Sequence, residues 1–196
     1  MIIVLLGASG SGKSTIESIL YEKYGYEKII SYTTRPQRTN EVNGKDYHFI
    51  GNNDFDMLIK NRMFAEFDEY SQNRLYGTLK GDYKEGNKVV VLTPNGLRQL
   101  KETCKNNDIF SVYINANLGT RMKRYIDRCG VDKFNFDDKN EIAARVERDF
   151  AMFLGLEREV NLVVQNNEND DALDVAKLVH EACQKEKIHK VFAYTD

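Results

Sequence analysis

Little in this chain points to a metal-built or disulfide-built protein. Its three cysteines, Cys104, Cys129 and Cys183, lie far apart, and no two share a metal-ligand spacing. They read as ordinary reduced thiols, which fits a cytoplasmic location. The histidines His48, His180 and His189 fall into no recognised constellation and read as structural or surface residues. Long hydrophobic runs are also lacking. The opening stretch from Met1 to Leu6 is apolar but stops at Gly7 and carries no basic leader. It is too short for a signal sequence or a membrane span, so it reads as a buried strand, and no membrane partner is expected. An excess of basic charge is absent too: 28 Lys and Arg face 30 Asp and Glu, for a net charge of −2. That balance argues against long nucleic acid as a partner, whereas a small phosphorylated ligand needs only a local cluster of cations. There is no internal repeat and no low-complexity tract. The 196 residues, 41% of them hydrophobic, suffice for a single domain with a real core.

What the chain does contain is an alternation of strand and helix patterns. The β-branched run at 2–6 is followed by a glycine-rich turn, then by Ile16, Ile19 and Leu20 at helical spacing from Lys13 to about Tyr24. Val89-Val90-Val91-Leu92 is a continuous apolar strand, and Pro94 suits the first turn of a helix carrying Leu97 and Leu100. Phe110, Val112 and Ile114 alternate as in a strand, before a helix through Met122 and Ile126. Leu162-Val163-Val164 is a last core strand, before a helix with Leu173, Ala176, Leu178 and Val179. The fold class is α/β with a parallel core sheet. Two stretches interrupt the alternation. Residues 31–80 hold short strand-like pieces and one helix near 54–62, and residues 120–150 are dense in charge. Both read as lobes over the C-terminal edge of the sheet, where open α/β folds bind ligands. The expected organisation is a core of 1–30, 81–119 and 151–186, lobes at 31–80 and 120–150, and a poorly ordered polar tail at 187–196.

The strongest chemical signal lies between the first strand and the first helix. Gly7-Ala8-Ser9-Gly10-Ser11-Gly12-Lys13-Ser14 matches G-x-x-x-x-G-K-[ST], and Thr15 follows it. The glycines let the backbone curl so that N–H groups point inward at phosphate oxygens, and the helix N-terminus adds its positive dipole end. Lys13 is placed to reach the β- and γ-phosphates, and the Ser14 hydroxyl to ligate Mg²⁺. A nucleoside triphosphate is implied, most simply ATP.

The second substrate is written in residues 31–49. Arg35 and Arg38, three apart and near hydroxyls and Tyr47, form a cradle suited to a small dianion, although a solvated basic loop has the same composition. The segment resembles the GMP-binding signature of guanylate kinases, S-x-T-T-R-x-x-R-x-x-E-x-x-G-x-D-Y-x-F, with Ser31, Arg35, Arg38, Glu41 and Tyr47 in register. Phe64-Ala65-Glu66 and Tyr76-Gly77-Thr78 extend the likeness, which runs from Ile2 to about residue 180. The resemblance implies a P-loop NTPase three-layer fold with a small lobe that binds the nucleoside monophosphate and a helical lid. It implies that Arg35, Arg38, Tyr47 and Tyr76 hold the acceptor phosphate while Ser31, Glu66 and Thr78 face the base. Guanine offers two adjacent donors, N1–H and the exocyclic amine, that one carboxylate accepts together; adenine offers a bare acceptor at N1.

By the same resemblance Arg124, Arg128 and Arg145 are lid arginines near the transferring phosphoryl group, and Asn166 and Asn167 lie where relatives contact adenine. Arg121 stays ambiguous. One departure stands out. Guanylate kinases usually carry D-x-D where this chain has Val91-Leu92-Thr93, which leaves base selectivity and metal retention without their usual carboxylates. The implied activity is ATP-dependent phosphorylation of GMP or dGMP. The alternatives are a different phosphorylated acceptor (another nucleotide or a sugar phosphate) or a non-catalytic phosphopeptide-binding module of the same fold.

Overall fold

The computed structural model of the protein describes residues 1–71, 74–105, 107–129 and 136–193. In chain order the elements are β1 (Ile2–Leu6), α1 (Lys13–Tyr24), β2 (Glu27–Lys28), β3 (Tyr32–Thr33), β4 (His48–Phe49) and α2 (Asn52–Lys60). Then follow β5 (Phe64–Ser71), β6 (Arg74–Leu79), β7 (Lys88–Val91), α3 (Pro94–Thr103) and β8 (Ile109–Asn115). The chain ends with α4 (Leu118–Cys129), α5 (Phe136–Phe153), β9 (Leu162–Gln165) and α6 (Ala172–Ala193).

Five strands form a parallel sheet in the order β2-β7-β1-β8-β9. Parallel strands need crossovers, and the crossovers put helices on both faces, which explains why β1 is apolar at every position. All five of its residues are buried. Their side chains alternate between two cores. Ile3 and Leu5 pack with Ile16 and Leu20 of α1 and with Val175, Val179 and Cys183 of α6. Ile2, Val4 and Leu6 pack with Leu97 and Leu100 of α3 and with Phe153 at the end of α5. Each fully buried aliphatic side chain contributes roughly 1.5–3 kcal/mol, so these two layers fix the frame that carries the site.

Helix boundaries follow local chemistry. Gly12 and Gly25 bracket α1, both with positive φ, and Gly25 N–H closes the last turn on the Leu20 carbonyl. Thr93 caps α3 by accepting from Gly96 N–H, and Pro94 occupies the first turn. A second, four-stranded sheet, β4-β3-β6-β5, rises from residues 31–79. Its long hairpin, β5 with β6, is antiparallel, with Glu66 opposite Thr78 and Asp68 opposite Tyr76. The 120–150 stretch is α4 followed by most of α5, and the side chains of 136–142 within it lie outside the described residues.

The tail departs from expectation. Helix α6 continues to Ala193, because Gln184, Lys185, Glu186 and Lys187 are good helix formers that extend an already docked helix despite their polarity. Residues 194–196 of the expected tail lie outside the described residues. Among the described residues, no helix is long and apolar enough to cross a membrane.

Candidate active site

The glycine loop leaves β1 and enters α1 over the C-terminal edge of the parallel sheet. A methyl group at Gly12 would lie 2.2 Å from Asn166 Nδ2, and the residue sits at φ 94°, so both space and conformation require glycine. That space belongs to Asn166, which follows β9 and donates through Nδ2 to the Ser11 carbonyl at 2.7 Å, tying the loop to the far strand. Lys13 donates to the carbonyls of Gly7 at 2.7 Å and Ala8 at 3.0 Å. Burial lowers its pKa to about 8; Asp149 opposes that shift, while Arg121 and Arg128 add to it. An ammonium so poorly solvated gains much from an incoming phosphate.

The 31–80 lobe holds its arginines differently from one another. Arg35 is buried and forks onto Glu41, NH1 to Oε2 at 3.0 Å and NH2 to Oε1 at 2.8 Å, while its Nε donates to the Tyr76 hydroxyl at 3.2 Å. Its guanidinium also lies over the rings of Tyr47 and Phe49 at 5.4 and 5.5 Å. Burial works against ionised Glu41, but the Arg35 fork and the Arg38 amide outweigh it and hold the carboxyl below its usual range. Glu41 therefore fixes Arg35 and is not a lining residue. Arg38 is more open and lies 3.6 Å from Glu41. Tyr47 packs edge-on to Tyr76, and burial pushes the Tyr47 hydroxyl up to about 12, so that phenol remains a donor at neutral pH.

At the other end of the lobe Glu66 is buried on β5. Thr78 donates its hydroxyl proton to Glu66 Oε1 at 2.7 Å and shares its other side with the Tyr83 hydroxyl, also at 2.7 Å. The carboxylate lies against the first turn of α3, where a methyl on Gly96 would sit 2.6 Å from Oε2. Burial raises Glu66 to about 7; the Thr78 hydrogen bond pulls the other way and nearby Asp68 adds to the rise. Thr78 thus orients Glu66 and does not itself line the cavity.

The helical lobe meets the loop through arginines. Arg124 donates to the carbonyls of Gly10 at 3.1 Å and Asn167 at 3.2 Å. Arg128 and Arg145 both approach the ring of Tyr125, at 5.9 and 5.3 Å. Arg121, ambiguous in the sequence, has a definite place. Its Nε donates to the Ser9 carbonyl at 2.9 Å and its NH2 to Asp149 Oδ2 at 2.5 Å. Asp149, on α5 and buried, also accepts from Ser9 N–H at 2.9 Å and from the Tyr70 hydroxyl at 2.8 Å. One carboxylate therefore joins the phosphate loop, both helices of the 120–150 lobe and strand β5.

All these elements open onto one cavity of about 690 Å³. It is lined on one side by Gly7, Ser9, Gly10, Gly12, Lys13, Ser14 and Thr15, and on the other by Ser31, Arg35, Arg38, Tyr47, Glu66 and Tyr76. Arg124, Arg128 and Arg145 line it as well. Of the residues singled out by sequence, Ala8, Ser11, Glu41, Thr78 and Asn167 do not line it. Ser11 is buried beneath the loop, and Asn167 turns its Oδ1 to the Asn117 amide, whereas Asn166 does line the cavity. Asp68 and Tyr70 line it too and were not singled out from the sequence, whereas Thr93, which also lines it, offers the hydroxyl contact that its place in Val91-Leu92-Thr93 allows. The first two could have been found by strand alternation, since they stand two and four residues after Glu66.

A profile of the guanylate kinase family matches residues 1–183. A guanylate kinase of Lactobacillus johnsonii is 30% identical over 189 residues, covering 93% of this chain and 88% of that one. A guanylate kinase of Lactobacillus delbrueckii subsp. bulgaricus is 38% identical over 109 residues, a match that spans about half of either chain, 52% and 53%. The crystal structure of a guanylate kinase from Anaplasma phagocytophilum superposes with a TM-score of 0.71 over 95% of this chain and 85% of that one; at 19% identity it speaks for the fold. The chain belongs to the guanylate kinase family.

Proposed function

We propose that this kinase transfers the γ-phosphoryl group of ATP directly, in line, to the phosphate of GMP, giving ADP and GDP. What supports this is the single cavity in which the amides of the glycine loop and Lys13 face Ser31, Arg35, Arg38 and Tyr47. An oxygen of the GMP phosphate attacks the γ-phosphorus, and the bond from phosphorus to the β–γ bridging oxygen breaks. That nucleophile is already ionised at neutral pH, so no covalent intermediate on the enzyme is needed. Catalysis consists of positioning and charge neutralisation, supplied by Lys13, Arg124, Arg128 and Arg145. Arg38, Tyr47 and Tyr76 take the acceptor phosphate, with Arg35 fixed by Glu41 behind them. The 31–80 and 120–150 lobes act as flaps that exclude water from the activated group.

The donor set around the loop also suits Mg²⁺. Ser14 offers a hard hydroxyl oxygen in the cavity. Among the described residues no group of three His, Cys, Asp or Glu could hold a metal unaided, which fits an ion held chiefly by nucleotide phosphates and water. When bound, the ion would offset charge on the β- and γ-phosphates.

Guanine's N1–H and exocyclic amine both require an ionised Glu66. Because burial raises that carboxyl to about 7, kcat/KM for GMP is expected to fall as pH drops below about 7. Glu66→Gln should remove that limb and weaken GMP by about 10- to 100-fold, the cost of a charge-assisted pair. The same shift makes ionised Glu66 a burden on the empty fold above pH 7, one relieved as pH falls toward its unfolded value, so the Gln variant should melt no lower than wild type at pH 8. A pH profile that the substitution leaves unaltered removes Glu66 from base reading. For the activity itself, ADP release is measured with GMP, dGMP, AMP, UMP, CMP and dTMP as acceptors. Turnover confined to the guanine nucleotides supports the assignment, and none with GMP ends it.

A further inference from the structure

The family's usual acids at the end of β7 are replaced here by Val91 and Thr93, yet the wall of the cavity at that point is not without a carboxylate. Asp68 on β5 lines it, two residues from Glu66 on the same face of the strand and opposite Tyr76 in the hairpin. The register is regular from Glu66 to Glu69, so the two acids share one face. Asp68 reaches across to the position where the sequence departs: Thr93 Oγ1 donates to Asp68 Oδ2 at 2.6 Å, and Asn95 Nδ2 donates to Oδ1 at 3.1 Å. The Glu69 amide also donates to Oδ1, at 3.0 Å. Thr93 in turn accepts from Gly96 N–H as the cap of α3. The helix cap thus spends its proton on Asp68, and the first turn of α3, with its positive dipole end, holds the carboxylate in place.

We propose that Asp68 is a specificity-determining residue that accepts a hydrogen bond from the exocyclic amine of guanine, from the strand opposite the usual location of an acid. This rests on the assignment of GMP as acceptor and extends it. An ionised carboxylate has about four acceptor sites, and among the described residues three of those on Asp68 are taken, two at Oδ1 and one at Oδ2. The remaining one is on Oδ2, beside Thr93. Guanine carries three N–H donors on its pairing edge, one at N1 and two on the amine. Glu66, with Oε1 engaged by Thr78, suits N1–H and the nearer amine hydrogen, which leaves the second amine hydrogen for Asp68. A negative charge here would repel a phosphate, and the described residues hold no acidic cluster of metal-binding size. A neutral N–H donor is what the site fits. The partner base best rejected by such an arrangement is hypoxanthine, which keeps N1–H but has no amine.

The test is calorimetric titration of GMP and of inosine monophosphate into wild type, Asp68→Asn, and the double variant Asp68→Ala with Thr93→Asp. Asparagine preserves the size of the side chain and removes its charge: with its amide nitrogen in the Oδ2 position it meets the amine donor to donor, and with its oxygen there it sets that nitrogen against the Glu69 and Asn95 donors. Expected is a loss of about 10- to 100-fold for GMP and less than about 3-fold for inosine monophosphate, the scale of one hydrogen bond to a charged group. The double variant, which returns a carboxylate to the opposite wall, should regain the preference for GMP. Equal losses for the two ligands would overturn the inference and leave Asp68 as a brace for the α3 cap. So would an unchanged affinity for GMP. Wild type that binds neither nucleotide contradicts the acceptor assignment itself, a result separate from any comparison of variants.

Discussion

Lys13→Ala is expected to lower kcat by at least about 10³-fold while changing GMP affinity less than about 3-fold, since one well-placed cation on a transferring phosphoryl group is worth that much or more. The reasons are local. Lys13 stands at the first turn of α1, bonded to the Gly7 and Ala8 carbonyls, on the glycine-loop side of the cavity. In the proposed assignment the acceptor phosphate is held by groups on residues 35–76, which truncating Lys13 leaves intact. The fold should not suffer. Burial lowers the folded-state pKa of Lys13 to about 8 from 10.5, so the charged form is a burden on the native state at every pH below about 8. That burden fades as pH rises from 8 toward 10.5. Melting at pH 7 is therefore expected to be unchanged or slightly higher in the Ala variant. Single-turnover kinetics with saturating GMP, alongside equilibrium GMP titration, separate the two effects. A kcat within about 10-fold of wild type would remove Lys13 from the chemical step.

The second large effect concerns stability. Asp149 is 1% exposed and receives three donors: Ser9 N–H, the Tyr70 hydroxyl and the Arg121 guanidinium. Asp149→Ala leaves all three without their acceptor, one of them a largely buried cation. Breaking a buried pair from one side costs about 3–5 kcal/mol. For a chain of this size that corresponds to a drop in Tm of roughly 6–20 °C. Because Ser9 belongs to the glycine loop and Tyr70 to the acceptor lobe, ATP affinity should weaken as well, even with nucleotide added to rescue the fold. Asp149→Asn, which retains an acceptor oxygen, should lose less. Calorimetric melting of the three proteins checks this. An Ala variant that melts within about 2 °C of wild type would mean that the carboxylate does not hold the lobes together.

How much of this could be read beforehand depends on the range of the interactions. Helix α1, expected from Lys13 to about Tyr24, was legible because its ends are set locally, by Gly12 before it and Gly25 after it. The start of α3 was legible from Pro94 for the same reason. The acceptor segment was recognisable as a string of residue types, and the fold does carry Ser31, Arg35, Arg38 and Tyr47 to the cavity that Lys13 faces. The division of labour inside that string was not legible. Glu41 and Thr78 prove to be braces for Arg35 and Glu66, something only side-chain directions can decide. Asp149 left no sequence trace, since its partners Ser9 and Tyr70 are 140 and 79 residues away. The departure at Val91-Leu92-Thr93 was visible, but the carboxylate beside it was not. Asp68 comes from another strand, 25 positions before the Thr93 that it meets.

The most direct measurement uses a bisubstrate analogue, adenosine and guanosine joined 5′ to 5′ through a chain of phosphates, as an inhibitor of ADP release. If the amide-lined and the guanidinium-lined pockets face one another across a single cavity, inhibition will be competitive against ATP and against GMP alike, and tighter than by either nucleotide alone. Competition against one substrate with noncompetitive behaviour toward the other would place the two anion sites apart and contradict the account.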